Sequence, residues 1–397
     1  MRGFLRRFFN DPKGNVAIMF AIAVVPIIGA MGAAIDYSLA NAQRSAMQAA
    51  LDATAVALIK LMPTSQQELD TRGMEWFQAN LGTTPVSNIQ LTITPSIGKM
   101  NLQAVGIYKP EIVNVLGVQE FPIGAKTEAK WGFGKIEVAL ALDNTGSMAG
   151  NKLTQLKLAA HNLLNTLEMA AKNPGDAKVS IVPFGKQVKI DTSFREENWL
   201  KWDSQAEKTA WLGCVEDRNK NNDVTDVAPT TNARRFPGVF NPGNDCGALT
   251  TIQPLTYDWA VLHSKVDQMI ATGSTNVPIG LAWGWHTLSS GLPFPEGAAY
   301  GTLNLSKFLI ILTDGDNTDN RWDDPTSVIN QRTALVCTNI KAVGIQIYSI
   351  RVINGNASLL QSCASNPSMY FDVQDAGQLN AVFSAIGAQI ANLHLSK

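Results

Sequence analysis

The chain has 397 residues, 45% hydrophobic and only 16% charged, with a formal net charge of −1. That length allows two or three folded units, and the near-neutral balance, with no basic stripe interleaved with aromatics, argues against a nucleic-acid partner. Cys214, Cys246, Cys337 and Cys363 form no CxxC pair, and His161, His263, His286 and His394 are scattered, so the sequence offers no zinc site.

Residues 1–15 form a basic tail carrying Arg2, Arg6, Arg7 and Lys13. Residues 16–35, VAIMFAIAVVPIIGAMGAAI, are uncharged, and Asp36 follows directly. As a transmembrane helix they rise about 30 Å, enough to cross the hydrocarbon core of a bilayer. The basic residues ahead of the run place the N-terminus in the cytoplasm and the chain after Asp36 outside it. A cleaved signal peptide is the rival reading, because 29–34 is rich in small residues. The length of the run, and a helical pattern that continues past it, favour an uncleaved anchor. An exported chain with four cysteines is expected to hold two disulfides. Three connectivities are open, of which local pairing, Cys214 with Cys246 and Cys337 with Cys363, is the simplest. Four buried free thiols are the alternative.

Residues 36–63 are expected to form a helical stalk, since 37–61 lacks Gly and Pro. Ala42, Ala46, Ala49, Ala53 and Val56 recur at helical spacing as a seam of small residues. Such a seam suits another helix, making the stalk an oligomerisation element, or equally the protein's own domain. Pro63 ends the helix. From 64 to 134 we expect a small α+β or β-rich module, with a helix over 68–80 and short strands at 89–94, 101–108, 112–116 and 121–131. It contains no catalytic constellation and reads as a spacer or oligomerisation element.

From 135 to 397 strands and helices alternate, which predicts a doubly wound, Rossmann-like α/β domain with a parallel sheet. Strands are expected at 136–142, at 178–182 (ended by Pro183), at 307–313 and at 346–352. Helices are expected over 152–172, 326–343 and 376–393. Between 187 and 255 the pattern breaks into a long insertion carrying Trp199, Trp202, Trp211, Cys214, Cys246 and a polar run at 216–223. A loop of this length is rare without function or structure of its own. Packing onto the sheet or around a disulfide is favoured over tryptophans exposed at a partner face.

Side chains with chemistry gather at strand ends. The run VALALDNTGSM (138–148) breaks from a buried strand into Asp143, Thr145 and Ser147, whose oxygens alternate along a tight loop. Thr275 in GSTNVPIGL and Asp314 in FLIILTDGDNT offer matching groups. In an open parallel sheet, ligands bind at the carboxyl ends of strands near the topological switch point, so the loops after 142 and 313 can be neighbours. Hydroxyls with few carboxylates suit a hard cation, Mg2+ or else Mn2+ or Ca2+. Asp316, Asp319, Asp323 and Asp324 form an acidic loop beside these residues, either solvated or supporting a second cation. No enzyme is expected. Ser147 lacks a G-x-S-x-G setting, and neither a P-loop nor a dinucleotide fingerprint occurs. A haloacid-dehalogenase-type phosphotransferase needs a second carboxylate where Thr145 stands. His161, on an amphipathic helix, reads as surface or core rather than as a base.

Two resemblances cover the ends of the chain. Gly14-Asn15-Val16-Ala17, Ile35-Asp36-Tyr37 and Leu51-Asp52-Ala53-Thr54-Ala55 resemble the TadE/TadG family of Tad (Flp) pilus-assembly proteins. Members processed like pilins carry Glu at the position of Met19. Asp143-x-Thr145-x-Ser147, Thr275-Asn276 with Gly280-Leu281, and Thr313-Asp314-Gly315, in that order, resemble the metal-ion-dependent adhesion site of a von Willebrand factor A (vWA) domain. The first motif of that family has Ser where Thr145 stands. The resemblance implies a cation held by Asp143, Thr145, Ser147, Thr275 and Asp314, with a partner's Glu or Asp as its last ligand. Together they imply a TadG-like protein, single-pass in the inner membrane with its bulk in the periplasm, that binds pilus-assembly or envelope proteins. A metal-dependent adhesin or matrix-binding module unrelated to pili is the alternative, and a metal-dependent phosphohydrolase the third reading.

Overall fold

The computed structural model describes residues 15–61, 66–96, 99–130, 134–240 and 245–395. They fall into two compact units that divide between Trp131 and Gly132. Residues 1–14 of the basic tail, Pro63 and Trp131 lie outside the described residues.

In the N-terminal unit, α1 (Asn15–Leu61) is one continuous helix. Its first half exposes Met19, Phe20, Ile22 and Val25, and the helix is long and apolar enough to cross a membrane. Its second half packs with α2 (Gln66–Leu81) on an antiparallel sheet of β1 (Val86–Ser96), β2 (Lys99–Tyr108) and β3 (Phe121–Lys130), in the order β1-β2-β3. Ala40, Met47, Ala50, Leu51, Thr54, Ala55 and Leu58 are the buried face of α1, whereas Ala42, Ala46, Ala49, Ala53 and Val56 are exposed. The alternative in which the alanine seam covers the protein's own domain is therefore corrected. Met47, Leu51 and Leu58 remove more apolar area from water than a row of alanines would, and they set which way the helix rolls. One turn apart on α1, Arg44 Nε and Gln48 Nε2 donate to the carbonyls of Gly124 at 3.1 Å and Lys126 at 3.0 Å. The four-residue step between them rises about 6 Å along the helix, close to a two-residue strand repeat of about 6.8 Å, so α1 supplies donors to two carbonyls on the open edge of β3.

Residues 112–116, expected as a strand, contain instead a 3-10 turn, Val113–Leu116. The cause lies in α1. Asp36 is buried, and its carboxylate accepts the backbone N–H groups of Glu111 at 3.2 Å, Ile112 at 2.9 Å and Val113 at 2.6 Å. Asp36 thus caps the turn. One turn earlier, a Cβ on Gly32 would come within 2.4 Å of Ile112 Cγ2. Asp36→Ala strips three donors of their acceptor and is expected to destabilise this unit by about 2–3 kcal/mol. Hydrogen exchange of the 111–113 amides reads this directly, and unchanged protection would refute the cap.

The C-terminal unit runs β4 (Lys135–Asp143), α3 (Asn151–Ala170), β5 (Ala177–Phe184), β6 (Val188–Lys189), β7 (Leu200–Lys201), α4 (Gln205–Ala210), β8 (Cys214–Val215), β9 (Phe236–Pro237), β10 (Gln253–Thr256), α5 (Trp259–Asp267), α6 (Val277–Leu288), β11 (Leu305–Thr313), α7 (Thr326–Ala342), β12 (Gln346–Val352), α8 (Ala357–Cys363), β13 (Tyr370–Val373) and α9 (Leu379–Leu395). The main sheet has the order β13-β12-β11-β4-β5-β6-β8, with β10 also on β5. β13, β12, β11, β4 and β5 are parallel, while β6, β8 and β10 pair antiparallel. From β4 the chain moves to one side of the sheet and from β11 to the other, so the switch point lies between these two strands.

Alternation along the central strands builds two cores. Val138, Leu140, Leu142, Phe308, Ile310 and Leu312 pack with α3, α5 and α9 on one face. Ala139, Ala141, Leu309 and Ile311 meet α6, α7 and the insertion on the other. All twelve residues of α6 are buried. β5 continues through Pro183, correcting its expected end there. β10 pairs with β5 only at Val179 and Ile181, so no partner strand on that side requires the N–H that proline lacks.

The insertion is built onto the sheet through β6, β8 and β10 and is stapled by a Cys214–Cys246 disulfide with Cα atoms 5.9 Å apart. Cys337–Cys363 joins α7 to α8 across 5.2 Å, and all four cysteines are paired. Trp199 and Trp211 are buried and Trp202 is half-buried, so these tryptophans are core rather than an exposed partner face. The Arg218 guanidinium lies 4.8 Å from the Phe236 ring and donates to the Val227 carbonyl at 2.8 Å.

Candidate metal centre

Asp143 is the last residue of β4, and Asp314 follows the last residue of β11; Leu142 and Leu312 are in register between them. Both carboxylates are buried. Oδ1 of Asp143 accepts the Thr145 N–H at 2.8 Å, and Oδ2 accepts the Thr313 hydroxyl at 2.6 Å. The Thr145 and Ser147 hydroxyls lie 3.0 Å apart. Ser147 donates to Asp314 Oδ1 at 2.6 Å, and Lys152 Nζ to Asp314 Oδ2 at 2.6 Å. Gly150, at φ +78°, turns the loop into α3 and uses the left-handed freedom of glycine.

The third loop is tied to the first by backbone. Gly146 N–H donates to the Gly273 carbonyl at 2.9 Å, Thr272 N–H to the Asn144 carbonyl at 2.7 Å, and Asn144 Nδ2 to the Ile270 carbonyl at 2.9 Å. A Cβ placed on Gly315 would stand 3.7 Å from both Ser147 Oγ and Thr275 Oγ1. Asp143, Thr145, Ser147, Thr275 and Asp314 are therefore brought together at one end of the sheet.

Burial pushes the Asp143 carboxyl up to about 6; its bonds to Thr145 and Thr313 pull it down, and the Asp314 charge adds to the rise. Among the described residues Asp143 has no ion-pair partner. An enclosed carboxylate without a counter-charge is unfavourable, and hydroxyl oxygens stand beside it, a donor set that fits a hard cation. No cluster of three or more His, Cys, Asp or Glu suited to a metal occurs among the described residues; the oxygens gathered here belong to hydroxyls and carboxylates. Ser147 bonds to Thr145 and Asp314 rather than to a histidine. His161, on α3, faces α5, with Nδ1 2.6 Å from His263 Nδ1 and Nε2 2.9 Å from Asp267 Oδ1.

Three supporting features escape sequence reasoning. Asn317 accepts the Val277 N–H at 2.8 Å and donates to Asn330 at 2.8 Å and Thr333 at 3.1 Å, pinning the loop after β11 to α6 and α7. Lys152 is the second. The third is Asp217 of the insertion, buried, which accepts Nδ2 of Asn276, the residue after Thr275, at 2.8 Å and the Arg321 N–H at 3.4 Å. The acidic loop is not simply solvated. Lys186 pairs with Asp319 at 2.9 Å and Asp323 at 3.2 Å, and Lys220 with Asp324 at 2.9 Å, leaving Asp316 exposed.

Burial, reinforced by Asp223 and Glu216, pushes Asp217 up to about 7. A carboxyl raised in the fold contributes stability at low pH that is lost as pH rises through about 7. Asp217→Asn, uncharged at every pH, is expected to stabilise the unit at pH 8 by about 1–3 kcal/mol and to flatten its stability between pH 5 and 8. Urea denaturation of both proteins at the two pH values checks this, and a destabilised variant at pH 8 would refute it.

A doubly wound sheet with this hydroxyl-rich loop cluster at its switch point defines a domain of the vWA type. Residues 294–385 match the family model of the von Willebrand factor type A domain. Residues 14–57 match the one described as putative Flp pilus-assembly TadE/G-like. The chain thus carries a TadE/G-like N-terminal segment and a C-terminal vWA domain; the vWA match spans Asp314 but begins after Thr275. Among solved structures the chain is similar to the vWF domain of the type V pili tip protein Mfa5 from Porphyromonas gingivalis, at 11% identity, covering 67% of this chain and 97% of that one with a TM-score of 0.42. It is also similar to the pilus adhesin SpaC from Lactobacillus rhamnosus GG (12%, 77% and 34%, TM-score 0.40). A third is proximal thread matrix protein 1 from the mussel byssus, solved with a zinc-occupied MIDAS motif (14%, 65% and 46%, TM-score 0.38). The chain spans less than half the length of the latter two. No curated protein matches it.

Proposed function

We propose that this chain is a membrane-anchored, non-enzymatic component of Tad (Flp) pilus assembly whose vWA domain binds a partner protein through a divalent cation. The observation that carries the metal reading is Asp143, buried at the end of β4 with no counter-charge among the described residues and beside the hydroxyls of the loop cluster. Thr145, Ser147 and Thr275 would hold Mg2+, or Mn2+ or Ca2+, with Asp143 and Asp314 behind them. The ion would supply an open coordination position for a Glu or Asp of another pilus-assembly or envelope protein. Thr313 and the Thr145 N–H fix the direction of the Asp143 carboxylate, and Ser147 that of Asp314.

The TadE/G-like match and the apolar first half of α1 support an inner-membrane anchor with a cytoplasmic N-terminus. Two disulfides support an oxidising compartment such as the periplasm for the vWA domain. The exposed alanine seam of α1 is the surface suited to association with another helix. Calorimetric titration of Mg2+ into the detergent-solubilised chain is expected to show saturable, EDTA-reversible binding. Absence of binding with Mg2+, Mn2+ and Ca2+ alike would sink the metal reading.

A further inference from the structure

We infer that Lys152 keeps the site one negative charge short, so that a divalent cation is held firmly only together with an anionic ligand. This rests on the metal-site reading above and specifies how that site chooses its occupants.

The Lys152 ion pair is built into the site rather than laid on its surface. The Asp314 side chain is wholly enclosed and that of Lys152 only 21% exposed, at a separation of 2.6 Å. Oδ1 of Asp314 is taken by Ser147 and Oδ2 by Lys152, so the ammonium is part of the shell that orders the loop cluster. Its position breaks a local rule. Lys152 is the second residue of α3, whose first turn contains no acidic residue. A helix N-terminus carries partial positive charge and disfavours a cation there. Departures of this kind concentrate at functional sites, and here Asp314 is the only described partner that offsets it.

Counting charge gives the consequence. Asp143 and Asp314 contribute two negative charges and Lys152 one positive. A dication added to that net −1 leaves +1 beside two buried carboxylates, where charges are less screened than at the open surface. An anionic ligand brings the sum to zero. Without Lys152, the two carboxylates alone would balance the ion, and a ligand would add nothing electrostatically. The neighbouring acidic loop does not supply the missing charge: Asp319, Asp323 and Asp324 are committed to Lys186 and Lys220, and Asp316 faces water, where screening weakens its reach. Lys152 thereby makes metal and ligand capture mutually dependent.

The test is Mn2+ titration, by calorimetry, of the detergent-solubilised full chain as wild type, Lys152→Gln and Lys152→Arg, in chloride and in acetate at equal ionic strength. Wild type and Lys152→Arg are expected to bind Mn2+ weakly in chloride and severalfold more tightly in acetate. Lys152→Gln is expected to bind at least tenfold more tightly than wild type in chloride and to lose its response to acetate. Equal affinities for Lys152→Gln and wild type, or weaker binding by the variant, would overturn the inference while leaving the metal site standing. No binding by any of the three would overturn both. Should Lys152→Gln fail to fold, the acetate response of wild type and Lys152→Arg decides, and acetate-independent binding overturns the inference.

Discussion

Asp143→Ala is expected to eliminate saturable Mg2+ binding and, with it, retention of a carboxylate-bearing partner, while the vWA unit still folds. Asp143 is the deepest of the five proposed ligands and lacks an ion pair among the described residues. In EDTA its charge opposes folding. A carboxyl raised to about 6 contributes stability that is present at low pH and lost as pH rises through that value. A rise of about two pH units corresponds to roughly 3 kcal/mol. Alanine removes that penalty but leaves the Thr145 N–H without its acceptor and the Thr313 hydroxyl with only the Gly315 carbonyl at 3.3 Å, at about 1 kcal/mol or more each, and opens a small void. The terms nearly cancel, so thermal unfolding in EDTA at pH 8 should differ little from wild type. With Mg2+ present the difference should be large, because only wild type gains stability from the ion. Protons compete with the cation for Asp143, so Mg2+ affinity of the wild type should fall as pH drops below about 6. Undiminished Mg2+ binding by the variant would remove Asp143 from the site, and loss of cooperative unfolding in EDTA would show its role to be structural.

The second large effect is expected at Gly280, on the buried helix α6. A Cβ there would fall 2.5 to 2.8 Å from the ring carbons of Phe184. An aromatic ring packed in a core cannot yield by turning a terminal methyl, so Gly280→Ala should destabilise by about 3 kcal/mol, near the upper end of ordinary overpacking. Gly284, one turn on, provides the comparison: its added Cβ would meet Leu309 Cδ1 at 2.9 Å, a flexible tip, and Gly284→Ala should cost about 1 kcal/mol. Phe184 also accepts the Asn144 N–H through its carbonyl at 2.8 Å. Displacing it shifts the loop that bears Asp143 and Thr145, so Gly280→Ala should lower Mg2+ affinity as well as stability. Urea denaturation and Mg2+ titration of both variants test the pair, and equal effects at the two glycines would refute the packing argument.

What the sequence revealed follows from these contacts. β4 and β11 are largely apolar runs that end in polar loops, and such runs announce buried parallel strands. Because β4 and β11 flank the switch point, Asp143 and Asp314 could be paired before any geometry was known. Helix α6 stayed hidden because VPIGLAWGWHTL is apolar on every side and so has no amphipathic period. Its glycines, read alone, suggest a break rather than the close approach to the sheet that requires them. β6, β7, β8 and β9 are two residues each, below any periodic signal. The Lys152–Asp314 and Asp217–Asn276 contacts span 162 and 59 residues, and no local pattern reports them. The alanine seam left two readings open because periodicity says that a stripe exists, not which stripe faces inward.

The helix α1 passes without interruption from its exposed apolar half into the unit it helps to build, where Gly32 and Asp36 are already clamped under the 111–113 turn and Arg44 and Gln48 grip β3. Its apolar half is consequently a shaft keyed to the sheet rather than a tether. Any roll, tilt or axial slip imposed on that shaft by a lipid bilayer or by a neighbouring helix would turn the three-stranded sheet with it. Cutting the chain within 29–34 would take away Gly32, which is seated on Ile112, or leave it near the end of the chain, and would place a new, charged terminus close to Asp36.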